Sequence, residues 1–140
     1  MFKNKDDFIR YFHTYHPLQQ EVESIDDLLK NWEENEQKLE VLFARRDSER
    51  TFEPMCLGII TFLFALYMAN GKTIESIDIH TWSNTISDFH VCPVNLNDRL
   101  MFIIEHPTQF HSFVQLKQLY RELLKKHAVQ KRKQQKQHST

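Results

Sequence analysis

Metal and acid–base chemistry would have to come from histidine, cysteine and carboxylate side chains. The chain holds eight histidines, two cysteines and 19 acidic residues. His13 and His16 stand three apart and could share a helix face, but no carboxylate pair at the spacing of bundle metal sites accompanies them. Asp88, His90 and Cys92 alternate, which on an extended segment puts three zinc-type donors on one side. The plainer reading of that stretch is a polar connection running into Pro93. His106 and His111 flank Pro107 and Phe110, a place where a histidine satisfies a carbonyl at a helix corner. None of these groupings has a recognised ligand spacing, so no metal residue is assigned. There is no serine elbow and no cysteine–histidine signature, and two glycines leave no material for a phosphate loop. The chain therefore reads as non-enzymatic, with no catalytic or cofactor-binding residue and no cofactor.

Charge is the stronger signal. The net value is −1, but residues 1–124 carry 12 Lys/Arg against 19 Asp/Glu, a balance of −7, and residues 125–140 carry six cations and no acid. Those six, Lys125, Lys126, Lys131, Arg132, Lys133 and Lys136, are the candidate contacts to an anion or nucleic acid. Binding to phosphates would be unspecific and would fall steeply with salt, because no aromatic residue among them offers a stacking platform. Anionic lipid is a further possible target. The plain alternative is a solvated end that suits the negative terminus of a helix. Glu33, Glu34, Glu36 and Glu40 form a second charged surface, which could meet a basic partner or simply face water.

The elements that must position these residues read as helices. Gly and Pro, two and four copies, are too scarce for the many tight turns of a sandwich or barrel. From Asp6, a first helix puts Phe8, Ile9, Phe12 and Tyr15 on one face and ends at His16-Pro17. Ser24 caps a second helix of about six turns, with a stripe of Ile25, Leu28, Leu29, Trp32, Leu39, Leu42 and Phe43 interrupted by Asn35 and Glu36. Arg45 to Glu53 reads as a polar loop, and Pro54 suits the first turn of a third helix. That helix, residues 55–69, is apolar on every face and stops at Asn70-Gly71. It falls short of the roughly 20 apolar residues of a bilayer span, so it is expected at the centre of a bundle. Cys56 within it is a buried thiol.

Residues 73–93 suit one or two short helices through Ile74, Ile77, Ile79, Trp82 and Ile86, although Ile77 to His80 also alternates like a strand. Asn95 caps a fifth helix with Leu96, Leu100, Ile103 and Ile104 inward. Thr108 caps the last, whose stripe is Phe110, Phe113, Leu116, Tyr120, Leu123 and Leu124. The expected fold is all-α: one compact irregular or orthogonal bundle of five to six helices around the apolar helix. The domain spans 1–127, and 128–140 is a basic, frayed or disordered tail.

Pro93-Val94-Asn95-Leu96, Arg99-Leu100, Pro107, Phe110-His111-Ser112-Phe113, Gln115-Leu116 and Glu122 through Lys126 resemble the YpoC-like proteins of Bacillus-type bacteria. The likeness covers roughly residues 90–127. It implies a bacterial cytoplasmic protein and no catalytic residue. Family genes lie near those for DNA replication, base-excision repair and cell-wall synthesis, which favours a DNA association for the tail. The N-terminus lacks the apolar stretch of a signal peptide, in keeping with a reducing, cytoplasmic setting. The expected function is a helical protein-interaction module, with another protein as partner and no membrane span. The alternative is a DNA-associated accessory protein using its C-terminal cations on phosphates.

Overall fold

The computed structural model describes the backbone of residues 5–15, 24–74 and 82–138. Among them are six helices and no strand: α1 (Lys5–Tyr15), α2 (Ile25–Ala44), α3 (Ser48–Ala69), α4 (Trp82–Ser87), α5 (Leu96–Glu105) and α6 (Phe110–His138). The all-α bundle around the apolar helix is what the sequence led us to expect. The helix-or-strand question at Ile77 to His80, the helix end at His16-Pro17 and the His13–His16 pair lie outside the described residues or side chains.

Ser24 caps α2 as read. Its backbone is extended and its hydroxyl accepts the Asp27 N–H at 3.2 Å. The polar stretch after α2 is not the loop expected. Arg46 takes a left-handed conformation (φ 56°), its N–H reaches the Phe43 carbonyl at 3.0 Å, and Asp47 N–H reaches the Leu42 carbonyl at 3.1 Å. This pair of bonds closes a Schellman stop, normally the work of a glycine. α3 then starts at Ser48, so Pro54 sits at its seventh position and not in its first turn. The carbonyl that the proline cannot serve belongs to exposed Arg50. Pro54's own carbonyl accepts the Asn35 side-chain N–H at 2.7 Å. Asn35, which reads as a break in the α2 stripe, is thus a tie between α2 and α3.

The earlier start makes α3 22 residues long and apolar enough to cross a membrane by length and composition. Shortness therefore does not exclude a span. Burial assigns the helix instead: 72% of its apolar window is inside the fold, and Met55, Cys56, Ile59, Phe62 and Leu66 are wholly inaccessible. Its C-terminus is a second Schellman stop at Gly71 (φ 70°), with Gly71 N–H on Met68 and Lys72 N–H on Tyr67. Asn70 clasps the next connection, since its amide nitrogen donates to the Val91 carbonyl at 2.8 Å and its oxygen accepts Val91 N–H at 2.9 Å.

α3 packs against α1, α2 and α6, and α5 packs against α6 and α1. α1 contributes Phe8 and Phe12, both fully buried, and α4 contributes Trp82 and Ile86. One of the chain's two glycines decides how closely the centre can pack. A Cβ at Gly58 would lie 2.7 Å from Trp32 Cζ3 and 3.1 Å from Leu116 Cδ2. Through that gap Trp32 of α2 stacks on Tyr120 of α6, with centroids 4.2 Å apart and planes within 5°. Tyr120 donates its hydroxyl to the Gly58 carbonyl at 2.5 Å.

Candidate functional site

The six candidate cations, Lys125 to Lys136, all belong to α6, whose two ends have different surroundings. From Phe113 to Leu123 the inner face of the helix is core: Phe113, Leu116, Leu119, Tyr120 and Leu123 are buried. Leu119 is absent from the sequence-derived stripe. Two of its expected members are on the surface, Phe110 at 58% and Leu124 at 39% exposure. Phe110 begins the helix before its partners close over it, and lies edge-on to Phe43 and Phe113. Thr108 is not the last residue before α6; Gln109 accepts the first N–H groups, from Ser112 and Phe113. Likewise Asn95 occupies the N-cap of α5 in a left-handed conformation with no side-chain cap bond. Its carbonyl takes the Arg99 N–H.

α2 runs antiparallel to α6. Phe43 stacks on Phe113, Glu40 pairs with Lys117 at 3.0 Å, Trp32 stacks on Tyr120, and Asp26 acts electrostatically on His127. This pairing ends where α2 begins. α6 goes on to His138 as a helix, and every described side chain from Ala128 to Gln135 is exposed except half-buried Gln130. The frayed or disordered tail expected from residue 128 is helical through His138. Lys, Arg, Gln and Ala are strong helix formers, and cations suit a helix C-terminus. At 1.5 Å per residue the extension reaches about 15 Å beyond the body.

Lys125, Lys126, Lys131, Arg132 and Lys133 are exposed, while the side chain of Lys136 lies outside the described residues. At about 100° per residue, Lys125, Lys126, Arg132 and Lys133 fall within an arc of about 120° opposite the core face. Val129, 45% exposed, lies inside the same arc. Lys131 points elsewhere, toward the α2 side, where it and desolvation lower the pKa of His127 while Asp26 opposes them. His127 Nδ1 is buried with no hydrogen-bond partner among the described residues. On α2, Asp26, Asp27, Glu33, Glu34 and Glu40 are exposed, and Glu36 is half-buried.

The other sequence candidates take structural places. Val91, between His90 and Cys92, is the buried residue that Asn70 holds. Asp88 and His90 face water and Cys92 is half-buried, its thiol pushed up by desolvation. Among the described residues no three His, Cys, Asp or Glu side chains come close enough to share a metal ion. At the α5–α6 corner the His106 carbonyl accepts the buried Ser112 hydroxyl at 2.6 Å. The rings of His106 and His111 lie against Phe102. A cleft of about 670 Å³ opens between α1, α2 and α3, lined by Tyr11, Lys38, Leu42, Arg50, Phe52 and Leu57 among others.

Sequence reasoning missed one polar cluster. Arg99 of α5 grips Glu122 of α6 through two nitrogens, at 3.0 and 2.6 Å, and also reaches Gln115 at 3.1 Å and the Val94 carbonyl at 3.0 Å. The guanidinium holds the Glu122 carboxyl below its usual pKa. The only signal available was the 23-residue separation of two opposite charges, which no helical period links.

The profile of the family described as YpoC-like protein matches residues 22–135. The chain belongs to the YpoC-like family. A relative from Bacillus subtilis (strain 168), described as uncharacterized protein YpoC, is 32% identical over 101 residues, 71% of this chain and 59% of that protein. The chain thus spans less than two-thirds of the relative's length. No solved structure matches. The residues through which the sequence resembles YpoC-like proteins build the α5–α6 corner. Pro93, Leu96, Leu100, Pro107, Phe113 and Leu116 are buried in it, and Arg99, Gln115 and Glu122 are its polar lock. In this YpoC-like chain the pattern fixes the angle at which α6 leaves the body.

Proposed function

We propose that the protein is a non-enzymatic interaction module of the bacterial cytoplasm that engages a partner protein through the free end of α6. The observation that carries this is the extension itself. A rigid helix, held at its root by Tyr120 and the Arg99–Glu122 pair, projects cations on one face and an exposed Val129. Ordering the helix in advance lowers the conformational cost of binding compared with a flexible basic tail. The test is capture of partners from the native cytoplasm by the intact chain and by a chain lacking residues 128–140. The intact chain is expected to retain a reproducible protein that the shortened one loses. Recovery of no such protein, or equal recovery by both, overturns the reading.

The alignment of four cations on one face also supports a second reading, contact with duplex DNA phosphates. Affinity would then fall steeply with salt and vanish on deleting residues 125–140. The exposed Asp26 and Asp27 beside the root of the extension oppose a long polyanion, which places this reading second.

A further inference from the structure

The projecting α6 needs an acidic surface that is short, helical and free of other commitments, and the chain carries one. Asp27, Glu33 and Glu34 lie on the outer face of α2, exposed and without an ion pair among the described residues. We infer that the partner of the α6 extension is a second copy of this chain, with the basic face of one copy's extension lying along the acidic face of the other's α2. The inference rests on the α6 end being the working surface and names what it binds.

Three features carry it. The charges are opposite in sign: Lys125, Lys126, Arg132 and Lys133 on the α6 face against Asp27, Glu33 and Glu34 on α2, with Lys30 the one cation between those acids. The extension is also long enough to cover the acids. The projecting 128–138 stretch has about the reach of three helical turns, and the acids from Asp27 to Glu34 span about two. The extension is too remote to use this face within its own chain. Antiparallel packing sets the α2 start beside His127, so α6 leaves in the direction opposite to the one in which α2 continues. A two-fold axis near Asp26 and His127 cures this, because it turns the second α2 to run along the first extension. The same operation seats the second extension on the first α2. The contact is closed and self-complementary, two copies of one helix-on-helix pairing, and does not propagate into filaments. A foreign acidic protein would need to reproduce the same charge pattern, and duplex DNA would meet Asp26 and Asp27 at the root.

Sedimentation equilibrium of the 140-residue chain tests this. The expected mass at low salt is twice 16.9 kDa, falling toward the single-chain value as salt screens the contact. Reversing the extension with Arg132→Glu and Lys133→Glu should leave a monomer, as should reversing α2 with Glu33→Lys and Glu34→Lys. A mixture of the two variants should recover the dimer, because each then offers the charges that the other lacks. All four positions are exposed helix sites, and circular dichroism with urea unfolding verifies that the variants fold. A single-chain mass at every salt and concentration overturns the inference. So does a dimer indifferent to both reversals, or a mixture that stays monomeric. If the chain is monomeric yet residues 128–140 are still required to capture another protein or a duplex, the self-pairing fails while the working surface stands. If it dimerises through some other face and the shortened chain captures the same partners, both fail.

Discussion

The two halves of α6 are one continuous helix with opposite tasks. The first, from Phe110 to about Leu124, is held on three sides: Trp32 and Phe43 of α2, Gly58 and Phe62 of α3, and Arg99 of α5. The second, from Ala128 onward, touches almost nothing and is charged along one face. What differs is side-chain type on an unchanged backbone. A helix can therefore be an anchor at one end and a probe at the other, and the anchor must be stiff for the probe to hold its direction. Stability should depend on the first half and binding on the second, which leads to a graded series of tests.

The largest loss should come from Tyr120→Ala. It removes a fully buried ring stacked on Trp32 and leaning edge-on against Phe62. Truncating a buried aromatic costs about 3–5 kcal/mol, read as the shift of the urea midpoint at constant slope. A small shift would mean that the root of α6 is not held as described. Gly58→Ala comes next. The new methyl would meet the Trp32 ring at 2.7 Å, and that ring is pinned by Tyr120. Overpacking costs about 1–3 kcal/mol, against a gain in helix propensity of up to about 1 kcal/mol. Net destabilisation is expected although alanine is the better helix former, and a more stable protein would refute the close approach.

Glu122→Gln should cost less, about 1 kcal/mol or below, because the carboxylate is 35% exposed and solvent screens its pair. Its pH signature is more telling. Arg99 lowers the folded pKa of Glu122 from the usual 4.5, so the pair stabilises the fold above that value and the contribution is lost as the pH falls through the lower, folded one. A plot of urea midpoint against pH should drop in this acid range more for the parent than for Glu122→Gln, and parallel curves would show that the pair contributes nothing. His127 acts in a higher window. Desolvation and Lys131 lower its folded pKa below the usual 6.5, with Asp26 opposing. It therefore favours folding above that pH, and this is lost as the pH falls through the folded value. His127→Gln should flatten the weak slope just below pH 6.5 and leave the rest of the profile unchanged. The smallest effect on stability, within about 0.5 kcal/mol, is expected from deleting residues 128–140, and the same deletion should abolish binding. A large loss of stability would erase the distinction between the halves.

The sequence by itself determined the helical class, the Ser24 cap and the Asn70-Gly71 stop. Those features depend on local periodicity and on which residues tolerate a given backbone. It also revealed that the charges segregate, with six cations after residue 124. It misjudged the stretch around Arg46, because a non-glycine residue in the left-handed region leaves no compositional sign. The stretch from Arg45 to Glu53 before Pro54 likewise reads as loop until Thr51 and Phe52 are seen to be buried. Only the tertiary structure decided that α6 is a single helix outlasting its neighbours, since where a helix loses cover depends on where α2 begins. Only the tertiary structure, too, brought Arg99 to Glu122 and put Gly58 beneath Trp32 and Tyr120. Such contacts join residues dozens of positions apart, and no spacing rule along one chain links them. The direction in which the basic face points belongs to the same class: its charges are written in the sequence, while its aim is set by the packing at its root.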